Sequence, residues 1–224
     1  MGKGKQFFNN NSKIIFCFIL ILSSCSTNKI QVNKIYTSDE HLNFARAYST
    51  LSEFKNAISE YNLAILSNQH NVDAYLEMAS IYIKLNEIDK SINILNKGLL
   101  NNNNNIYIIN NLAYIYHKYK NNSSKSMSLL LKIPNDINEI NILHHKLDVL
   151  YKNNEKHKVV NLGEIILSKF SYSSDLDDVY YKIIYSLIEL NLKHEAILYF
   201  NDLKINSKNI IIIKELDDLI NVSK

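Results

Sequence analysis

Glycine and proline are nearly missing from these 224 residues, with four of the first and one of the second. Gly2 and Gly4 sit at the extreme N-terminus, so only Gly98 and Gly163 remain for the body of the chain. A β-rich fold needs turn residues at short intervals, and this shortage favours helices instead. Cysteine occurs twice, as Cys17 and Cys25, which leaves no disulfide framework and no thiol chemistry for the body. There is no Gly-rich phosphate loop, no nucleophile elbow and no HExxH. The seven histidines are scattered apart from His144 and His145, and adjacent residues on a helix point about 100° apart, so they do not chelate one ion. Asp175, Asp177 and Asp178 lack the central Gly and terminal Glu of a calcium loop and read better as acids at a helix start. No catalytic residue, metal, cofactor or small-molecule substrate is expected. The chain does not read as an enzyme.

Charge excludes a further class. The formal net charge is +3, but Lys3, Lys5 and Lys13 belong to a segment read below as a leader, which leaves 22 basic against 22 acidic residues. Arginine occurs once, as Arg46, so there is no nucleic-acid footprint. Asn, Ile, Lys and Tyr are abundant, with an Asn run at residues 101–105, a bias read as that of an AT-rich genome.

What is present is a repeat with a spacing of 34. Ala45 recurs as Ala79, Tyr48 as Tyr82, Ala57 as Ser91, Ile58 as Ile92, Tyr61 as Leu95 and Ala64 as Gly98. Leu42, Phe44, Ala45, Tyr48 and Leu51 share one helical face. After a break at Ser52-Glu53, Phe54, Ala57, Ile58, Tyr61, Ala64 and Ile65 form a second stripe. Small residues on both stripes let the two backbones approach closely. A period of this length filled by two helices is that of a stacked helix-hairpin array.

On these residues the chain resembles the tetratricopeptide repeat family. The family's small positions fall on Ala45, Ala57 and Ala64, then on Ala79, Ser91 and Gly98. It departs in having no Gly at the first of these and in replacing the Pro near the repeat end by Gln69 and Asn103. The resemblance implies an all-α, right-handed solenoid of about five hairpins over residues 38–205, with a C-terminal capping helix over residues 206–224. Ile109, Leu112, Ala113 and Tyr116 start a third unit whose second helix is weak: Lys125 falls where a small residue belongs, and Pro134 stops it early. Leu143, Leu147 and Leu150, then Val159, Leu162, Gly163 and Ile166, make a divergent fourth. Residues 171–178 form a polar loop adding about three residues to the period. Tyr180, Ile183, Leu187, Ala196, Phe200 and Leu203 define a fifth. Leu216, Leu219 and Ile220 are expected to cover the last hairpin.

In this family one face of each first helix lines a partner-binding groove. Carried over, that face comprises Leu42 and Arg46; Leu76 and Ile83; Asn110, Tyr114 and His117; His144 and Tyr151; Tyr181 and Tyr185. The mixture of aliphatic and Tyr side chains with little charge implies a protein partner presenting an amphipathic segment.

The N-terminus reads as a delivery device. Residues 1–24 combine three lysines with the nine-residue apolar run 14–22, too short to span a bilayer, which takes about 20 residues, and suited to a signal segment. Leu22-Ser23-Ser24-Cys25 resembles a bacterial lipobox, which implies cleavage before Cys25 and acylation of its sulfur, with Ser26 permitting export to the outer membrane. Two or more acyl chains anchor durably where one does not. The polar stretch that follows, to Thr37, is a tether reaching about 40 Å if extended. The expected protein is a lipid-anchored scaffold at the periplasmic face of a bacterial membrane, its layout similar to pilotin lipoproteins of type IV pilus assembly. Adaptors of outer-membrane protein assembly and of peptidoglycan hydrolases share that layout. A eukaryotic chain with an uncleaved N-terminal anchor is a further alternative.

Overall fold

The computed structural model describes residues 35–222. The leader, Cys25 and most of the tether lie outside the described residues. Five hairpins follow one another: α1 (Ser38–Thr50) with α2 (Phe54–Ser67), α3 (Val72–Lys84) with α4 (Ile88–Asn101), α5 (Ile106–Lys118) with α6 (Ser123–Leu130), α7 (Ile140–Lys152) with α8 (Lys156–Lys169), and α9 (Asp177–Glu189) with α10 (Lys193–Asn206). A last helix, α11 (Ile210–Val222), closes the array. The described chain is an all-α solenoid. The first four hairpins start 34 residues apart. Residues 171–178 differ from the expected loop: they contain a 3-10 turn, Ser174–Leu176, and the helix already begins at Asp177.

Asparagine supplies the geometry that glycine would supply elsewhere. The turn inside each hairpin needs a residue at positive φ, and the residues there are Ser52, Asn86, Asn121, Asn154 and Asn191, with φ between 48° and 61°. Asn tolerates this left-handed region better than other side chains because its short polar group bonds locally. The helix C-termini are closed by backbone bonds from Glu53 to Tyr48, Glu87 to Tyr82, Glu155 to Leu150 and Leu192 to Leu187, the pattern of a Schellman cap. Asn also starts helices: the side chains of Asn71, Asn105 and Asn122 accept from the backbone N–H groups of Ala74, Ile108 and Lys125. The Asn content therefore has structural uses beyond compositional bias.

The small residues do what the pattern demands. Ala45, Ala57, Ala64 and Ser91 are fully buried, and the Ser91 hydroxyl donates to the Ala79 carbonyl across the hairpin. Gly98 and Gly163 are sites of close approach, where an added Cβ would lie 2.8 Å from Tyr75 Cγ and 2.5 Å from Ile183 Cγ1.

Three local expectations are corrected. Phe44 is 40% exposed and Leu51 69% exposed. Phe44 stands on the edge of the apolar stripe, in the first helix of the array, and Leu51 has already left the helix as its C-cap. In the third hairpin the turn holds one extra residue: Asn122 N–H reaches back to Tyr116, six residues away. This shifts α6 by one position, so Ser126 is buried at the small position and Lys125 is exposed. Helix α6 then ends at Leu130, before the Lys132-Ile133 turn that precedes Pro134. Lys146 of α7 fills the shortened end: it is 4% exposed, and its Nζ donates to the Ile133 carbonyl at 2.6 Å and to Asn135 Oδ1 at 2.7 Å. At the C-terminus Leu216 and Ile220 are buried against the array while Lys214, Glu215, Asp217 and Asp218 are exposed.

Candidate partner-binding groove

The first helices of successive hairpins touch one another, α1 on α3, α3 on α5, α5 on α7 and α7 on α9, with α11 on α9. Together they form one continuous layer, and the residues expected to line a groove lie along it.

At the N-terminal end, Arg46 bridges to the next hairpin. Its Nε lies 2.9 Å from Glu77 Oε1, and a terminal nitrogen lies 3.1 Å from Asp73 Oδ2. Glu77 also accepts the Tyr61 hydroxyl at 2.9 Å. The hydrogen bond to Glu77 raises the Arg46 pKa further, and burial, then Glu77, drives the Tyr61 hydroxyl far above its usual range. Leu42 is a correction: at 5% exposure it belongs to the core and offers almost no surface. Leu76 and Ile83 are half-buried against the core.

In the middle, Asn110 receives a 2.6 Å hydrogen bond from His145 Nδ1, and Tyr114 meets the His145 ring edge-on at 5.8 Å. The neighbouring His144 was expected here. Both histidines are half-buried with Nε2 enclosed and without a hydrogen-bond partner, but the contacts to Asn110 and Tyr114 are made by His145, so the groove histidine is displaced by one residue. Burial holds the His145 pKa down at about 4. His117 is lowered in the same direction, first by burial and then by Lys152, whose Nζ lies 3.3 Å from His117 Nε2.

At the C-terminal end three tyrosines run together. Tyr151 meets Tyr185 edge-on at 5.7 Å, and Tyr185 stacks on Tyr181 at 6.3 Å with planes 17° apart. Tyr181 donates to Glu215 of α11 at 3.1 Å, which ties the closing helix into the same layer. Burial pushes the Tyr151 hydroxyl up to about 12. Tyr151, Lys152, Asn154, Lys156, Val159, Tyr185 and Ser186 line an open cavity of about 250 Å³.

The layer carries more charge than the sequence reading allowed. Asp73 and Glu77 face Arg46; Lys182 is 7% exposed and pairs with Asp148 at 2.6 Å and with Asp178. Glu77 and Lys182 sit one position, and Asp73, Asp148 and Asp178 three positions, from residues carried over from the family, and only neighbouring hairpins brought together reveal their pairing. Among the described residues no three His, Cys, Asp or Glu side chains gather as a metal site, and no helix is long and apolar enough to cross a membrane.

A family model described as tetratricopeptide repeat matches residues 43–113. No curated protein sequence matches the chain. Solved structures share its fold at low identity. YrrB, described as a TPR protein with an unusual peptide-binding site, is 13% identical with a TM-score of 0.63, over 84% of this chain and 95% of that one. PilF of Pseudomonas aeruginosa is 15% identical with a TM-score of 0.60 over 82% of each chain. MamA is 16% identical with a TM-score of 0.58, over 75% of this chain and 90% of that one.

Proposed function

From the match of residues 43–113 to the tetratricopeptide repeat model and the shared fold we propose that the chain is a tetratricopeptide repeat protein, a lipid-anchored scaffold whose layer of first helices binds a protein segment in the bacterial cell envelope. The observation that carries the reading is the continuous Tyr151-Tyr185-Tyr181 surface beside the 250 Å³ cavity. Tyrosine offers large, rigid contact area with a polar tip and is enriched among residues that dominate interface energies. The peptide-binding site named for YrrB, on the same fold, supports a peptide as ligand. The anchor is Cys25, in the sequence Leu22-Ser23-Ser24-Cys25. The specific role we favour is help in envelope assembly of the pilotin kind, on the layout of acylated cysteine, short tether and helical hairpins.

Two measurements test this. A photo-crosslinking residue at Tyr185 in the full chain is expected to trap a discrete partner from envelope extracts, whereas the same residue at Lys158, exposed on α8, traps none. Equal trapping from both positions overturns the groove reading. Intact mass and membrane fractionation of the wild type beside Cys25→Ala test the anchor. Loss of residues 1–24, added acyl mass and membrane retention abolished by Cys25→Ala are expected, and an unprocessed, unacylated chain overturns it.

A further inference from the structure

One edge of the groove carries a row of lysines at the repeat period. Lys84, Lys118 and Lys152 are each the last residue of a first helix, α3, α5 and α7, and are 34 residues apart. All three are exposed. Placement in the last helical turn suits a cation, since the helix C-terminus is the negative end of the macrodipole. That accounts for one lysine at a time and leaves open how the charges are held.

They are held by rings. Lys84 lies over Phe54 at 5.9 Å, and Lys118 over Tyr114 at 5.2 Å and Tyr119 at 5.8 Å. The Lys118 Nζ also donates to the Tyr114 hydroxyl at 2.7 Å, and Lys152 Nζ lies 3.3 Å from the neutral ring of His117. An aromatic face orients an ammonium without cancelling its charge. Several other basic groups are matched by acids: Arg46 by Asp73 and Glu77, Lys120 by Asp89, Lys156 by Glu189, Lys182 by Asp148 and Asp178. At the opposite edge of the layer several acids are engaged too, Asp73 by Arg46, Asp178 by Lys182 and Glu139 by the Tyr107 hydroxyl. Among the described residues no carboxylate lies within 4.0 Å of Lys84, Lys118 or Lys152, so the positive edge is unbalanced. In the fifth hairpin the corresponding residue is Glu189, which ends the row.

We propose that this lysine edge selects the partner: an extended acidic protein segment lies along it, its carboxylates meeting Lys84, Lys118 and Lys152 while its other side chains rest on the tyrosines. The proposal rests on the groove reading above and adds the partner's charge and direction to it. Packed helices lie about 8–10 Å apart, and a chain extended as polyproline II rises about 3.1 Å per residue with about three residues per turn, so the row matches an acidic residue at about every third position on one side of the segment. Charge complementarity of this kind sets which segments associate and how fast.

The test uses the full-length chain and three fluorescein-labelled twelve-residue peptides of Ser and Leu, with Glu, Gln or Lys at every third position. Fluorescence anisotropy is expected to rank Glu over Gln over Lys. The double variant Lys118→Glu, Lys152→Glu is expected to weaken the Glu peptide by at least about tenfold and to strengthen the Lys peptide. Lys158→Glu on α8, away from the edge, is expected to leave both unchanged. Equal binding of the three peptides overturns the proposal, as does a Glu peptide insensitive to the double variant. If in either case Tyr185→Ala still abolishes binding, the groove reading stands while the lysine edge falls. Stronger displacement by an oligothymidylate than by an unlabelled Glu peptide at equal charge also overturns it, in favour of a nucleic-acid partner.

Discussion

Gly98 lies against Tyr75 with no room between them: a Cβ on Gly98 would stand 2.8 Å from Tyr75 Cγ. Tyr75 is fully buried, and its hydroxyl accepts from Asn101 Nδ2 at 2.7 Å, so the ring has little freedom to retreat. The contact sets how closely α3 and α4 pack.

Gly98→Ala therefore sets two effects against each other. Ala gains up to about 1 kcal/mol of helix propensity over Gly. Overpacking a filled site costs about 1–3 kcal/mol. The expected result is a net loss of stability and a lower Tm by calorimetry. Gly98→Ala in a Tyr75→Leu background is expected to lose less, because the ring is gone.

The turn asparagines make the reverse prediction. At Asn86 and Asn191, with φ of 59° and 61°, Gly adopts the same backbone without strain, while a β-branched side chain does not. Asn191→Gly is expected to change stability by less than about 1 kcal/mol, and Asn191→Val to lower it by about 1–2 kcal/mol, both read from urea midpoints at unchanged m. Equal midpoints for Val and Gly would remove the claim that Asn is chosen for the left-handed turn.

Lys146 predicts a different kind of loss. Its ammonium holds the Ile133 carbonyl and Asn135 at the shortened end of α6, and burial lowers its pKa. Lys146→Met keeps the stem but leaves the carbonyl without its donor, which costs about 1–3 kcal/mol. Hydrogen exchange is expected to show the loosening first around residues 131–136.

Stability is expected to fall on mild acidification. An unfolded histidine titrates near 6.5, whereas burial holds His145 at about 4. Between those values the unfolded chain binds the extra proton, so the contribution of His145 is fully present above pH 6.5. It declines as pH falls towards 4, reaching a loss of at most about 3 kcal/mol. Burial and Lys152 lower His117 in the same direction. Urea unfolding at pH 7.5 and 5.0 measures the difference, and His145→Gln is expected to shrink it. A wild-type pH slope retained in His145→Gln would assign the effect elsewhere.

The sequence alone determined the hairpins, their period and most of the core. Helical faces and the small residues at Ala45, Ala57, Ala64, Ala79, Ser91 and Gly98 are local properties, since pairing two helices across a short turn depends on residues close in the chain. Tertiary structure alone decided the details of the groove. One extra residue in the third turn rotates a helix by about 100°, which exchanged Lys125 for Ser126 at the buried position. The choice of His145 over His144, the burial of Leu42 and the pairing of Arg46 with Glu77 depend on how adjacent hairpins are rotated against each other. That rotation is set by packing between residues 30 or more positions apart, and no single repeat encodes it.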